Sequence, residues 1–268
     1  MSALARDTSS KIFRSGLLAG RTALVTGGGT GIGLAIAHEL GALGARVVIA
    51  ARDGDRLERA AADLNAAGII ARAEPVNIRK ETEVDLLLDR LQADDWLPDI
   101  LVNNAGGQFH ADPLAISANG FRAVVDLNLN GTWHVTKAVG ERLVAAQRPG
   151  RIVNIVLSLF QGLPGSAHAG AARAGVINLT KSLALAWAKH GITINAVAPG
   201  TIDTPALAQY DATEMAADIQ RLPVKRMGRP EEVAQLVAFL VSPAGDYMTG
   251  TTLILDGGEH LIGPVAAA

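Results

Sequence analysis

The chain has 268 residues, 49% of them apolar, with 24 basic and 26 acidic side chains and a formal charge of −2. That length and composition suffice to bury the core of one α/β domain, and the balanced charge without a long basic run argues against nucleic acid or an anionic membrane surface as the main partner. There is no cysteine, and no two of the six histidines stand four residues apart, which excludes disulfides, thiolate nucleophiles and Cys-containing zinc sites and leaves no metal expected.

Residues 1–15 are too polar for a signal peptide, and no segment approaches roughly 18 uninterrupted apolar residues, so the chain reads as cytoplasmic. Residues 1–17, with Arg6, Lys11 and Arg14, are expected to form an N-terminal arm, frayed or packed. Apolar runs then recur at 22–25, 47–50, 70–76, 100–102, 152–156, 193–198 and 253–255, with helical patterns between them. The alternation predicts a single doubly wound Rossmann-type α/β domain over 1–268, with a largely parallel seven-stranded sheet and helices on both faces. The strands are read as continuously apolar, as burial on both faces demands. Residues 204–229 are more polar than the strands around them and follow Pro199-Gly200. They are read as a substrate lid, since loops at the carboxyl ends of such sheets carry function.

The first strand runs into Thr-Gly-Gly-Gly-Thr-Gly-Ile-Gly at 26–33, followed by a helical face of Ile32, Ala35, Ile36, Leu40 and Leu43 that Gly44 stops. Glycine permits the sharp turn and the close approach of a phosphate, and the helix offers its first N–H groups to anionic oxygen. Gly27, Gly29, Thr30, Gly31, Ile32 and Gly33 are therefore expected to bind a dinucleotide. Where the second strand ends, an acidic residue would bind a ribose 2′-hydroxyl; this chain has Ala51 and then Arg52, so the cofactor is read as NADP(H). The alternative is a solvated arginine paired with Asp53 or Asp55. Asn77 can present an amide to adenine, and the small polar turn at 103–106 lies beside the cofactor.

Together TGGGTGIG at 26–33, NNAG at 103–106, NLNG at 128–131, APGTIDT at 198–204 and LDGG at 255–258 resemble the classical short-chain dehydrogenase/reductase family over 18–258. Within it, NIR at 77–79, GGQF at 106–109, HAGAARAGV at 168–176 and NLTKSLAL at 178–185 resemble peroxisomal trans-2-enoyl-CoA reductases, and more loosely 2,4-dienoyl-CoA reductases. The resemblance implies NADPH-dependent reduction of an enoyl thioester by a homotetramer, with an acyl-CoA as small-molecule substrate. It also adds Ile78, Asn104, Ala105, Gly106, Arg173, Pro199, Gly200, Ile202 and Thr204 to the residues along the cofactor.

The family's chemistry uses an asparagine, a serine, a tyrosine and a lysine four residues after it. Asn128 is present, but the serine position falls on Leu157, the tyrosine on Ala169 and the lysine on Arg173. Neither Tyr210 nor Tyr247 has a lysine four residues on, and the displaced pair of the enoyl-CoA reductases falls on Ile177 and Lys181. Arg173 keeps a charge and five donors, so it is expected to hold ribose hydroxyls or phosphate oxygens; a structural ion pair is the alternative. Ser158, His168 and Tyr210 are the substitute donors to weigh, against a turn serine, a satisfied histidine and an aromatic anchor. His110 is a weaker candidate for the pocket wall. Lys225, Arg226 and Arg229 stand either for coenzyme A contacts or for plain surface charge.

The leading reading is an NADPH-dependent reductase of an activated double bond, a trans-2-enoyl thioester, with a proton donor other than the family's tyrosine. The second is an NADP(H)-dependent ketoreductase or alcohol dehydrogenase with a relocated acid. The third is a catalytically silent NADP(H)-binding homo-oligomer held through Leu183, Leu185 and Trp187.

Overall fold

The computed structural model describes residues 10, 12–158, 162–209 and 212–262. Seven strands, β1 Thr22–Thr26, β2 Arg46–Ala51, β3 Ala71–Pro75, β4 Ile100–Asn103, β5 Gly150–Ile155, β6 Ile192–Pro199 and β7 Thr252–Leu255, form one sheet in the order β3-β2-β1-β4-β5-β6-β7. Every neighbouring pair is parallel, with Val25 between Ile49 and Val102 at the centre. The sheet is wholly rather than largely parallel, because each return passes through a helix over one face.

Alternate residues of a strand face opposite layers. Val25 joins a core with Ile36 and Leu40 of α1 (Gly31–Ala42), Leu57 of α2 (Gly54–Ala66) and Val237 of α8 (Pro230–Val241). Its neighbour Leu24 joins the opposite core, with Leu87 and Leu88 of α3 (Glu81–Ala93), Val139 of α5 (Gly131–Ala145) and Leu183 of α6 (Ala167–Trp187). The remaining helices are α4 (Ala118–Val125), α7 (Ala212–Arg221) and the short α9 (Glu259–Ile262).

The expectation of continuously apolar, doubly buried strands fails by residue type in β3 and at the buried Asn154 and Asn195 of β5 and β6, and by burial alone in β7. β3 carries Arg72 and Glu74, and all of β7 is half-buried, because an edge strand has a neighbour on one side only. Glu74 is buried there, held by Arg72 and by Arg90 at 3.2 Å. In α1, Ile32 and Ala35 are half-buried rather than part of the innermost face, where Gly33 and Ala37 stand instead. The described part of the N-terminal arm is packed: Phe13 and Leu17 lie on the first core, and Ser10 donates to Glu39 at 2.6 Å. Leu183 and Trp187 also turn inward, the latter against Gly140 of α5, whereas Leu185 is 86% exposed. Of the three residues expected to hold an oligomer, two are therefore occupied within the chain.

Candidate functional site

The sheet order reverses between β1 and β4, and ligands of such sheets bind outside the carboxyl ends at that point. There the two turns are stitched together. Thr26 Oγ1 accepts from the Asn104 and Ala105 amides at 3.1 and 3.0 Å, and Asn104 Nδ2 donates to the Thr26 and Gly27 carbonyls at 3.0 and 3.3 Å. Asn104 thus shapes the glycine turn from behind.

The turn ends in an unsatisfied helix terminus. Thr30, at the N-cap of α1, makes no side-chain capping bond, and the first turn has no acidic residue. By contrast Asp53 caps α2 and Ser117 caps α4. The first N–H groups of α1 point their positive dipole end at open space, which is the chemistry of an anion site. Gly31 sits at φ +52, and a Cβ there would meet only Thr204 at 3.5 Å, on the side from which a ligand would approach. The cradle fits a pyrophosphate.

Arg52 follows β2, exposed and without a hydrogen bond or ion pair among the described residues. Asp53, which with Asp55 was its partner in the alternative reading, instead accepts from the Arg56 amide at 3.1 Å and faces Arg56 Nε at 3.4 Å. Arg56 escaped the sequence reading. Its Cγ lies 3.6 Å from where a Gly29 Cβ would stand, so its aliphatic stem flanks the turn while its guanidinium faces Asp53; no local pattern in the sequence marks that contact. Asn77 Oδ1 accepts from the Arg79 amide at 3.2 Å, while Ile78 is buried and its carbonyl lies 3.0 Å from His134 Nδ1. Pro199 is buried at the end of β6, the Gly200 amide donates to Leu255 at 3.1 Å, and Ile202 bridges to Gly228. Thr204 reaches over Gly31 as already described.

On the other side of the reversal the groups are side chains. A single π-helical turn, Asp126–Asn130, joins α4 to α5 and turns Asn128 inward. Asn128 is 1% exposed; its Nδ2 donates to the Gly107 and Val124 carbonyls at 2.7 and 2.8 Å, and its Oδ1 accepts from the Gly107 amide at 3.2 Å. It holds the loop after β4. Arg173, from the second turn of α6, donates through Nη1 to the Ile155 carbonyl at 2.8 Å and is 7% exposed. Among the described residues no carboxylate pairs with it, and burial pushes its guanidinium down to about 10, still charged at neutral pH. Gly106, itself exposed, lies directly over Nη2; a Cβ at that position would fall on the guanidinium and 2.7 Å from Asn128 Oδ1. Asn128, Gly106 and Arg173 therefore meet at one point.

The substitute donors separate. Ser158 gives its hydroxyl to Asp256 at 2.8 Å, a residue 98 positions away, so it is neither a turn serine nor free for a carbonyl. Burial pushes the Asp256 carboxyl up; hydrogen bonds from Ser158, from His260 and from the Gly258 amide outweigh it and hold the group below its ordinary value. His168 is fully buried and touches Phe109 of the loop after β4, with ring centroids 4.3 Å apart. His110 is exposed and packs over Gly165. Tyr210 lies outside the described residues. Ala169 is buried, Ile177 packs on Val156 and Val176, and Lys181 is exposed.

The polar excursion after β6 is pinned at its base by the Ile202–Gly228 bridge. With α7 it forms an open groove of about 420 Å³ whose walls include Leu207, Met215, Ile219 and Met227. Of its basic residues, Arg226 is paired with Glu232 at 2.7 Å, Arg229 approaches the same carboxylate at 3.6 Å, and Lys225 donates to the Gln220 carbonyl. Among the described residues no group of histidines and acids forms a metal site, and no helix is long and apolar enough to cross a membrane.

The reversal point, the uncapped glycine turn and the parallel sheet define a Rossmann-type domain built for a dinucleotide. Residues 27–260 match the family described as enoyl-(acyl carrier protein) reductase. A Caenorhabditis elegans protein named "Probable 2,4-dienoyl-CoA reductase 3" is 38% identical over 94% of this chain and 84% of its own length. The 3-oxoacyl-[acyl-carrier-protein] reductase of Synechocystis sp. is 40% identical, over 90% of this chain and 97% of its own. The crystal structure of "a putative 2-deoxy-d-gluconate 3-dehydrogenase" from Agrobacterium tumefaciens with bound NADP superposes with a TM-score of 0.84 at 38% identity, covering 91% of this chain and 98% of that one. The chain belongs to the short-chain dehydrogenase/reductase family, whose members are oxidoreductases that bind a nicotinamide cofactor.

Proposed function

We propose that this protein is an NADPH-dependent reductase of an activated carbon–carbon double bond, with a trans-2-enoyl thioester as substrate. The observation that carries the reading is the buried guanidinium of Arg173, with no counter-ion among the described residues, beneath the exposed Gly106. An isolated buried cation is unfavourable unless a partner of opposite charge arrives. When conjugate addition places hydride on the β-carbon, negative charge develops on the thioester oxygen, and a fixed cation near it lowers the barrier. At about 10, Arg173 is an electrostatic partner and a poor proton donor at neutral pH. An alcohol oxidation would need a base at the hydroxyl, and neither Ala169 nor Leu157 supplies one. The printed name of the C. elegans relative supports the same substrate class.

The first amides of α1, at Gly31, Ile32 and Gly33, hold the cofactor pyrophosphate. Arg52, with Arg56 beside it, takes the 2′-phosphate and so selects NADPH over NADH. Asn77 meets the adenine, while Ala105, Gly106, Pro199, Gly200, Ile202 and Thr204 border the nicotinamide half. NADPH, when bound, supplies the hydride. Asn128 fixes the Gly106–Gly107 backbone against which the substrate lies. Residues 204–229 act as the substrate lid, and the 420 Å³ groove takes the acyl chain. Assembly as a homotetramer belongs to the same proposal, and light scattering of the purified protein checks it.

The test is loss of NADPH absorbance with crotonyl-CoA, 2,4-hexadienoyl-CoA and acetoacetyl-CoA. The expected result is turnover of the enoyl and dienoyl thioesters in preference to the ketone. Reduction of the ketone alone, or tight NADPH binding without turnover of any of them, would overturn the proposal.

A further inference from the structure

His168 is set up as a donor with nothing to donate to. Its ring is fully buried at the first turn of α6, and the Ala169 N–H donates to Nδ1 at 2.9 Å. A nitrogen that accepts a hydrogen bond carries no proton, so the ring proton sits on Nε2. Nε2 is buried and has no hydrogen-bond partner among the described residues. Native proteins keep few such groups, because each forgoes its bond to water without a replacement.

Phe109 packs edge-on against the ring, at 89° to it with centroids 4.3 Å apart. Phe109 is itself 39% exposed. The backbone on either side of it is anchored: Gly107 by Asn128, and Ala111 by the Gly165 carbonyl at 2.8 Å. The tip of the phenyl ring rests in a slot left by Gly120 of α4, where a Cβ would stand 3.0 Å from Cζ. The loop is held through its backbone independently of the two contacts that the ring makes. The loop that carries Phe109 starts at Gly106 and Gly107, the backbone that meets Arg173 and Asn128.

We propose that Phe109 is a movable cover on His168, and that substrate displaces it so that the thioester carbonyl oxygen accepts a hydrogen bond from Nε2–H. The identity of the acceptor rests on the enoyl-thioester reading; the cover does not. His168 and Arg173 then hold the oxygen from two sides while charge develops on it. The bond to Nε2–H forms without the proton leaving the ring, and the α-carbon takes its proton from water.

The experiment is nitrogen and proton magnetic resonance of the intact protein labelled at histidine, with the His168 signal assigned by its loss in H168N. In the wild type the Nε2–H signal is expected to exchange with water at least tenfold more slowly than in F109A; equal rates would overturn the cover. Addition of NADP+ and butanoyl-CoA, with binding followed by calorimetry, is expected to move the His168 Nε2 resonance and speed its exchange. Bound butanoyl-CoA that leaves the resonance unmoved would overturn the donor role. In turnover, H168F is expected to lower kcat roughly 100-fold with the KM for NADPH unchanged, and H168N, which keeps a donor, to recover part of it. Full activity in H168F overturns the role as well. Failure of the wild type to bind or reduce any acyl-CoA would overturn the substrate assignment and the acceptor with it, while the exchange comparison still decides the cover.

Discussion

Beside β1 the anion site is made of backbone: a helix terminus with no capping side chain and a glycine at φ +52 that leaves the approach open. Beside β5 and α6 the polar groups are side chains, Arg173, Asn128 and His168, each buried and each held by a carbonyl or amide of another segment or of its own helix turn. The contrast separates two kinds of constraint. Backbone recognition depends on conformation, and only a few sequences give that conformation. Side-chain chemistry depends on which functional group reaches a point in space, so the group can change while the scaffold stays.

The replacement R173M puts the largest strain on that comparison. If the cation serves only the fold, its removal costs stability; if it waits for a ligand, an apolar side chain of similar volume relieves an unpaired buried charge. Replacing a buried ion by a well-packed apolar side chain of similar volume is often neutral or stabilising by about 1–4 kcal/mol. We expect thermal unfolding of R173M at or above the wild-type temperature, together with a loss of roughly 10²–10³ in kcat/KM. Unchanged turnover would leave the catalytic side without its electrostatic element.

The same division explains how much could be read from the chain. β1, β2 and β4 through β6 are legible because burial on both faces demands mostly apolar residues, interrupted only by hydrogen-bonded groups such as Asn154 and Asn195. β3 blurs because it is an edge, and its Glu74 is neutralised by Arg72 and by Arg90 of α3, a contact that no local pattern announces. At the site, the glycine turn is legible because phosphate binding by backbone fixes both residue type and spacing. Arg56, in the first turn of α2, reaches Gly29 only through the fold, and no local pattern marks it. The bond from Ser158 to Asp256, and the packing of Phe109 on His168, join segments 98 and 59 positions apart. Local reading has no access to such pairs, which is why Ser158 is the donor that the structure most plainly redirects.

On the backbone side, G31V tests whether the uncapped helix terminus is the anchor. A branched residue at φ +52 costs about 1–2 kcal/mol of stability, and its Cβ stands in the approach to the first amides. NADPH affinity measured by fluorescence is expected to fall on the order of 10–100-fold, with most of the folded protein retained below its melting temperature. Wild-type affinity would place the anion elsewhere. A smaller effect is expected from R52A: about a tenfold loss of NADPH affinity, since a hydrogen bond to a charged group is worth roughly 1.5–3 kcal/mol before solvent screening. NADH affinity should stay the same. Equal losses for both cofactors would remove Arg52 from the 2′-phosphate and leave the choice to Arg56.

The smallest effect concerns the clasp between the proposed lid, residues 204–229, and α8. The Arg226 guanidinium, with the Arg229 amide, holds the Glu232 carboxyl well below its ordinary 4.5, down to about 2. For an acid whose value is lower in the folded state, the pair contributes fully above the unfolded value and is lost as pH falls toward the folded one. Its stabilisation should therefore be present above about pH 4.5 and fade between there and pH 2. With the Glu232 side chain 22% exposed and that of Arg226 54%, solvent screening keeps the contribution near 0.2–1 kcal/mol. E232Q should lower stability by that amount at neutral pH, and the two unfolding curves should converge as the solution is acidified. Because the clasp closes only the substrate side, the KM for an enoyl thioester should rise in E232Q while NADPH affinity stays fixed. A parallel loss of both would mean that the lid and the cofactor cradle move as one body.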